Sequence, residues 1–330
     1  MPRIGMNPSR NQKTSYHPAR VTLAVLTYLP EEIGYFEQRF DVTRLCIESL
    51  IANTPEPYDL LVFDNGSCPR MVDYLHAMRD AGKIHYLLLS SRNIGKIGAL
   101  KLIFNAAPGE IVAYTDDDVF FLPGWLEAHL KILDTFPQAG LVTGFYIRDH
   151  VIYGMKSVEA FAHQPGVKVE RGLFWEQDWI QHYVENMGRT IEGYAEETRG
   201  QQDITLRYQD VEAYGSAGHH QFVVPRQVML DALPGEWDPV LMGKMVHLEN
   251  RIDEMGFLRL STRQPVTRLL GNAISEENAT LARNYNVDIH AANLSTSGGG
   301  LSALYRLRLV QALARRIYNA MFRIIHSDSG

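Results

Sequence analysis

The chain has 330 residues, of which 45% are hydrophobic and 21% charged, a balance that excludes collagen-like, mucin-like and wholly disordered chains and allows one large domain or two modest ones. A formal charge of −6 gives no global reason to expect a nucleic-acid binder. Two cysteines, Cys46 and Cys68, argue against a disulfide framework, rule out a four-thiolate zinc site from one chain, and point to a reducing, cytoplasmic compartment.

Residues 1–20 are polar, rich in Pro, Asn and Ser, and carry Arg3, Arg10, Lys13 and Arg20 with no acid; they read as a mobile basic arm. No apolar stretch follows those charges and no run of about 18 apolar residues occurs, so neither a signal peptide nor a membrane span is expected. Structure starts at Val21. VTLAVLTYL (21–29) is short, β-rich and stopped by Pro30, as a buried strand would be. TRLCIESLIANT, from Thr43, keeps a helical period until Asn53-Thr54-Pro55. YDLLVFDNGS is a second strand, closing on Asp64-Asn65-Gly66-Ser67. A helix at about 69–80, a strand at 84–90, a helix at about 95–106 and the strand EIVAYTDDD (110–118) follow.

This alternation predicts a parallel sheet covered on both faces. Ligands bind at the carboxyl ends of such strands, and three ends are polar here: Thr27-Tyr28, Asp64 to Ser67, and Asp116-Asp117-Asp118. From about 145 to 215 no clean period exists, and loops and short helices forming one wall of a site are expected. Trp175, Trp179 and Tyr183 in that wall either stack on a sugar or fill a core. A helix at about 242–255, ended by Gly256, precedes another strand, and 276–330 reads as helical around the Ser/Gly-rich stretch at 295–300.

Three consecutive carboxylates repel one another and need a cation or hydrogen bonds in compensation. In extended chain Asp116 and Asp118 point the same way and Asp117 the other. Hard oxygen ligands suit magnesium or manganese, with phosphate oxygens completing the shell; the alternative is a solvated acidic turn. Asp64 heads a sequence with ordinary turn chemistry. Ser91 to Lys96 is a polar loop entering a helix, able to offer N–H groups and two cations to a phosphate, although no Walker or dinucleotide glycine pattern is present.

Together VTLAVLTYLP, LLVFDNGSCP and SRNIGKIGALKLIFNAAPGEIVAYTDDDVFFLPGWLEAHL resemble the nucleotide-binding half of family 2 glycosyltransferases. The Asp-x-x-Ser turn from Asp64, the Asn-x-Gly from Asn93, the Asp-x-Asp of Asp116 and Asp118, and the Pro-x-x-Leu from Pro123 occur together. The resemblance covers 21–145 and resumes more weakly at 230–262. It implies a GT-A-type α/β fold: a doubly wound, mostly parallel sheet with an irregular acceptor region and a C-terminal helical tail. The domain would run from 21 to 275, with a nucleotide-sugar and metal half (21–145), an acceptor half (146–275), and a helical extension at 276–330. The resemblance further implies that Thr27 and Asp64 hold base or ribose, and that Asp116 and Asp118 tie Mn2+ or Mg2+ to the diphosphate of a UDP- or GDP-sugar. Lys96, with Asn93 before it, and Lys101 are candidates for further donor contacts; by position alone the two lysines read as exposed on a helix.

The second half departs from the family. Leu248, Arg251, Ile252, Gly256 and Phe257 align with its Asp-Leu-x-x-Arg-Leu-x-x-x-Gly-Tyr, but the preceding Glu-Asp pair falls on Lys244-Met245. An inverting transfer needs a base within hydrogen-bond reach of the acceptor hydroxyl. Glu249, one turn beyond Met245 on the same helix face, is the proposed base, with His247, Asp253 and Asp238 in reserve; the competing reading pairs Glu249 with Arg251 or Lys244. His219-His220 could line the acceptor pocket or ligate a metal, though such a pair on a strand is more often structural.

The last segment, LSALYRLRLVQALARRIYNAMFRII, has no acid. Val310, Leu313, Ile317, Met321 and Ile324 form one side of a helix, and Arg308, Arg315, Arg316 and Arg323 the other. It could dock on the domain or a second subunit, or lie through 301–325 on the inner face of a membrane. The resulting expectation is a metal-dependent glycosyltransferase moving a sugar from a nucleotide diphosphate sugar to a hydroxyl of a glycan, lipid-linked or protein acceptor, with no nucleic-acid partner. The rivals are a sugar-phosphate nucleotidyltransferase, disfavoured by Thr27-Tyr28-Leu29-Pro30-Glu31-Glu32 where a Gly-rich basic loop belongs, and a non-catalytic nucleotide- or glycan-binding module.

Overall fold

All seven residues of β1 (Val21–Thr27) are buried, which is why the run is apolar without alternation: the strand is covered on both faces. A computed structural model describes residues 5–287. After β1 come α1 (Arg39–Ala52), β2 (Asp59–Asp64), α2 (Pro69–Asp80), β3 (Tyr86–Leu89), α3 (Lys96–Ala106), β4 (Ile111–Asp116) and β5 (Val119–Phe121). Each is the element that the sequence leads one to expect, except that β5 is new. Pro69 opens α2 at its first turn, where a missing N–H costs nothing.

The chain continues through α4 (Trp125–Thr135), β6 (Ala139–Thr143), a 3-10 turn at Arg148–Ile152, α5 (Lys156–Ala162), β7 (Val167–Gly172), α6 (Gln177–Asn186) and α7 (Ile191–Glu197). Then follow β8 (Asp203–Tyr208), β9 (Val211–Tyr214), β10 (Gln221–Pro225), α8 (Arg226–Ala232), α9 (Met245–Glu254), β11 (Leu258–Thr262), β12 (Thr267–Leu269) and α10 (Glu276–Asn284). The stretch read as loops and short helices therefore also contains three strands, β7 to β9. Their signal is weak for physical reasons: β7 is an edge strand with charged, exposed positions, and β9 has four residues.

Ten strands form one mixed sheet in the order β3-β2-β1-β4-β10-β6-β11-β9-β8-β7. The first four are mutually parallel, as are β6 and β11, while the remaining neighbours are antiparallel. Chain order reverses at β1, with β2 on one side and β4 on the other, and a crevice outside the strand ends forms at such a reversal. The register brings the polar ends level there: Thr27 lies beside Asp64, and Leu26 beside Asp116.

One core joins α3, α8 and α9 to the sheet through residues such as Leu100, Phe104, Tyr114, Phe222, Met229 and Ile252. A second lies under α4 and α5 around Phe136, Phe161, Leu206 and Leu260. The third is aromatic and includes Phe145, Tyr146, Trp175, Tyr183, Tyr194 and Tyr214. Trp175 and Tyr183 are thus core residues, with Trp179 packed against them. Near the start of the described chain, Tyr16 and the Ala19 amide donate to Asp59, so the end of the basic arm is tied to β2. α10 is tied to the body through Asn278, which donates to the Leu270 carbonyl, and an Arg268–Glu277 ion pair. The amphipathic segment at 301–325 lies outside the described residues. No described helix is long and apolar enough to cross a membrane.

Candidate active site

The turn after β2 is held by Asp64, which is buried. Its Oδ1 accepts from Thr27 Oγ1 at 3.0 Å and its Oδ2 from the amides of Gly66 and Ser67 at 3.2 and 3.0 Å. Gly66 has φ +89°, and a Cβ there would meet the backbone of Arg92 and Asn93 within 3 Å; only glycine lets the two loops approach so closely. Asn65 completes the junction, donating to Asn93 Oδ1 at 3.0 Å and accepting from the Ile94 amide at 2.9 Å. Thr27, Asp64 and Asn93 are therefore brought together at the carboxyl ends of β1 to β3.

At the end of β4 the three aspartates divide as an extended chain requires. Asp117 is buried toward α1, accepting from Arg39 and from Thr43 Oγ1. Asp116 and Asp118 keep side-chain exposures of 26% and 31%, so they are the pair open to a ligand. The compensating cations are protein groups: Lys96 Nζ lies 2.6 Å from Asp116 Oδ2, and Arg39 Nη1 lies 3.0 Å from Asp118 Oδ2. Tyr114 donates its hydroxyl to Asp116 Oδ1 at 2.6 Å. Burial pushes the Asp116 carboxyl up, but Lys96 and these hydrogen bonds hold it below the usual range. Burial dominates at Asp117 and raises it.

Lys96 is 7% exposed, so the exposed-lysine reading fails for it: the first turn of α3 points it into the site. Lys101 instead donates to the carbonyls of Gly235 and Glu236, fastening the 235–243 loop to α3 and not reaching Asp116. Arg39 escaped sequence reasoning, since a lone arginine at a helix start carries no spacing signal. The short β5–β12 pair brings the chain at Leu270 onto Asp118, whose carbonyl accepts from the Leu270 amide at 2.8 Å.

The four candidate bases are dispersed. Asp253 is buried and accepts from the amides of Lys156 and Ser157 and from Ser157 Oγ, capping α5. Asp238 holds the Val240 amide at 2.8 Å in the 235–243 loop, and His247 is exposed on α9. Glu249 is on the expected face of α9, but it pairs with neither Lys244 nor Arg251. Its partners are Arg259 at 2.6 Å, His219 at 2.7 Å and His150 at 3.5 Å. With 1% side-chain exposure the carboxylate lies behind the site surface. Burial pushes it up, but the two histidines and Arg259 hold Glu249 well below the usual range, which makes it a weak proton acceptor. His220 is depressed to about 3, chiefly by burial.

Asp116 and Asp118 offer hard oxygens in the number that a phosphate-bridging magnesium or manganese takes from protein. Oδ1 of Asp118 has no bond to any described residue, whereas both oxygens of Asp116 are already engaged. The set fits such an ion if Lys96 shares Asp116 with it.

Residues 35–190, a little under half of the chain, match the model of glycosyl transferase family 2. No curated protein matches. Among solved structures, a mannosyltransferase from Pyrobaculum calidifontis in complex with GDP-Man and Mn2+ is 17% identical, over 94% of this chain and 81% of that one, with a TM-score of 0.43. S. aureus TarS 1-349 is 12% identical over 84% and 68%, with a TM-score of 0.43. GalNAc-T7 with UDP, GalNAc and Mn2+ is 12% identical over 76% and 42%, with a TM-score of 0.45; the chain thus spans less than half of that protein. The matched segment runs from the loop after β1 through the Asp64 turn and the three aspartates to just beyond α6, so this part of the chain is similar to a family 2 glycosyltransferase domain.

Proposed function

We propose that the chain transfers a sugar from a UDP- or GDP-sugar, with a divalent ion, to the hydroxyl of a glycan, lipid-linked or protein acceptor, with inversion at the anomeric carbon. The observation that carries this reading is the register at the chain reversal, which sets Thr27 and Asp64 level with Asp116 where the crevice opens. Thr27 and Asp64, both buried and bonded to each other, would shape the turn against which the base or ribose lies. Asp116 and Asp118 would hold Mn2+ or Mg2+, which when bound neutralises charge on the departing diphosphate. Lys96 and Asn93 frame the phosphate end, Lys96 adding a buried positive charge that is already in place. Free Cys46 and Cys68 accord with a cytoplasmic setting, and 301–325 is the segment through which a membrane surface or second subunit would be met.

Release of nucleoside diphosphate from UDP-glucose, UDP-GlcNAc and GDP-mannose, followed with Mn2+ and with excess chelator, tests the reading. One donor turned over in Mn2+ and silent in chelator is the expected pattern. Equal turnover in chelator would remove the metal from the mechanism and leave the leaving group to protein cations, of which Lys96 and Arg39 lie against the aspartates.

A further inference from the structure

The family's base position is occupied by exposed Lys244 and buried Met245, so neither residue at that position is a carboxylate. Beside it stands a cluster outside the family motifs. His219, just before β10, and His150, in the 3-10 turn, both present Nδ1 to Glu249, at 2.7 and 3.5 Å, with their ring centroids 5.7 Å apart. The His150 Nδ1 atom is buried without any other partner. A ring whose Nδ1–H is given to a carboxylate keeps its Nε2 lone pair free, and no described residue bonds to His219 Nε2. The exposures order the pair: 32% for the His219 side chain and 1% for Glu249.

Behind Glu249, Arg259 is equally buried and donates to Oε2 at 2.6 Å and to the carbonyls of Tyr153 and Ala217. The carboxylate is therefore fixed from the rear and presents Oε1 to His219. The remaining charged or titratable groups around this ring are His150, His220, and Asp116 with its Lys96. Three ligand atoms within 4.8 Å also make His150, His219 and Glu249 a conceivable metal set. The guanidinium already bound to the same buried carboxylate disfavours a dication there, because the added charge would be uncompensated.

We propose that His219 is the general base of the transfer and that Glu249, braced by Arg259, is its positioning residue; this rests on the glycosyl-transfer reading above. The acceptor O–H gives its proton to His219 Nε2 while its oxygen forms the bond to the anomeric carbon. The bond from that carbon to the diphosphate oxygen breaks, its electron pair leaving with the nucleoside diphosphate. The imidazolium is stabilised by Glu249 until it returns the proton to solvent.

The test uses the full chain with Mn2+, calorimetric binding of UDP and GDP, and nucleoside diphosphate release from the matching donor. His219→Ala should bind the nucleotide within about threefold of the native chain and lose about 10²–10⁴-fold in kcat. Glu249→Gln should lose less and change the pH profile, with partial rescue in Glu249→Asp. Should the buried Glu249 variants fail to fold, the part-exposed His219→Ala still decides. Ring 15N shifts give a readout independent of turnover, expected to show His219 protonated at Nδ1 and bare at Nε2. Undiminished turnover in His219→Ala, a protonated Nε2, or one equivalent of Zn2+ bound by the native chain and lost in His219→Ala would each overturn the assignment, the last making this a metal site. If neither nucleotide binds the native chain, the glycosyl-transfer reading itself fails, a result distinct from the others.

Discussion

Replacing Arg259 with methionine tests the bracing of Glu249 directly. Both side chains are 1% exposed and 2.6 Å apart, and methionine removes the charge while keeping much of the volume. Glu249 is left as a buried carboxylate with only histidine donors, and the Tyr153 and Ala217 carbonyls each lose a bond. Breaking a buried pair from one side costs about 3–5 kcal/mol. For a domain of this size each kcal/mol lowers Tm by about 2–4 °C, so a fall on the order of 10 °C is expected. Removing both charges together, as Arg259→Met with Glu249→Leu, should recover most of that loss, because an apolar pair of similar volume is often as stable. Urea and thermal unfolding of the native chain, both single variants and the double variant would show it. A loss below about 1 kcal/mol in Arg259→Met, the range of exposed pairs, would mean that water reaches Glu249 and that the bracing is wrong.

Gly66→Ala should cost about 2–3 kcal/mol and weaken nucleotide binding, since both its φ and the Arg92–Asn93 backbone exclude a Cβ; a neutral result in denaturant melts would contradict the close loop approach. Asp203, fully buried, accepts from Arg148, Tyr146 and the amides of Phe174 and Trp175. Burial raises its carboxyl, but these donors hold it low, so its contribution is present above an unfolded pKa of about 4 and lost as pH falls through the folded value. Asp203→Asn should accordingly be about 2–4 kcal/mol less stable at pH 7, with the gap closing in acid; a gap constant with pH would refute this. Burial lowers His129 and His182 to about 4 and His220 to about 3. Below about pH 6.5 the unfolded chain takes up protons that the folded one refuses, so stability is complete above that pH and falls toward pH 4 by up to about 1.4 kcal/mol per unit for each group. A urea midpoint unchanged between pH 7 and 5 would show those rings to be solvated.

The half from β1 to β4 was legible in the sequence because buried parallel strands are short apolar runs punctuated by helices, and the period itself announces the architecture. The division of Asp117 from Asp116 and Asp118 followed from strand geometry alone. What fills the space around them did not. Arg39 and Lys96 supply protein cations beside the three adjacent carboxylates, and neither residue carries a spacing signal that would place it there. Beyond Thr143 the strands are short, antiparallel and partly at an edge, and their order in the sheet follows chain crossings that no local pattern encodes. Glu249 was placed on the correct face of its helix, but its partners come from three other segments, at His150, His219 and Arg259. A buried carboxylate and a working base look the same in sequence, since burial and tertiary partners decide between them.

Thermal unfolding with UDP or GDP, each with and without Mn2+, reads out the proposed donor site at the ends of β1, β2 and β4. One nucleotide at about a hundred times its Kd should stabilise the native chain by roughly 2.7 kcal/mol in the presence of Mn2+. The shift should vanish in Asp118→Asn. No shift with either nucleotide, or an undiminished one in Asp118→Asn, would contradict that site.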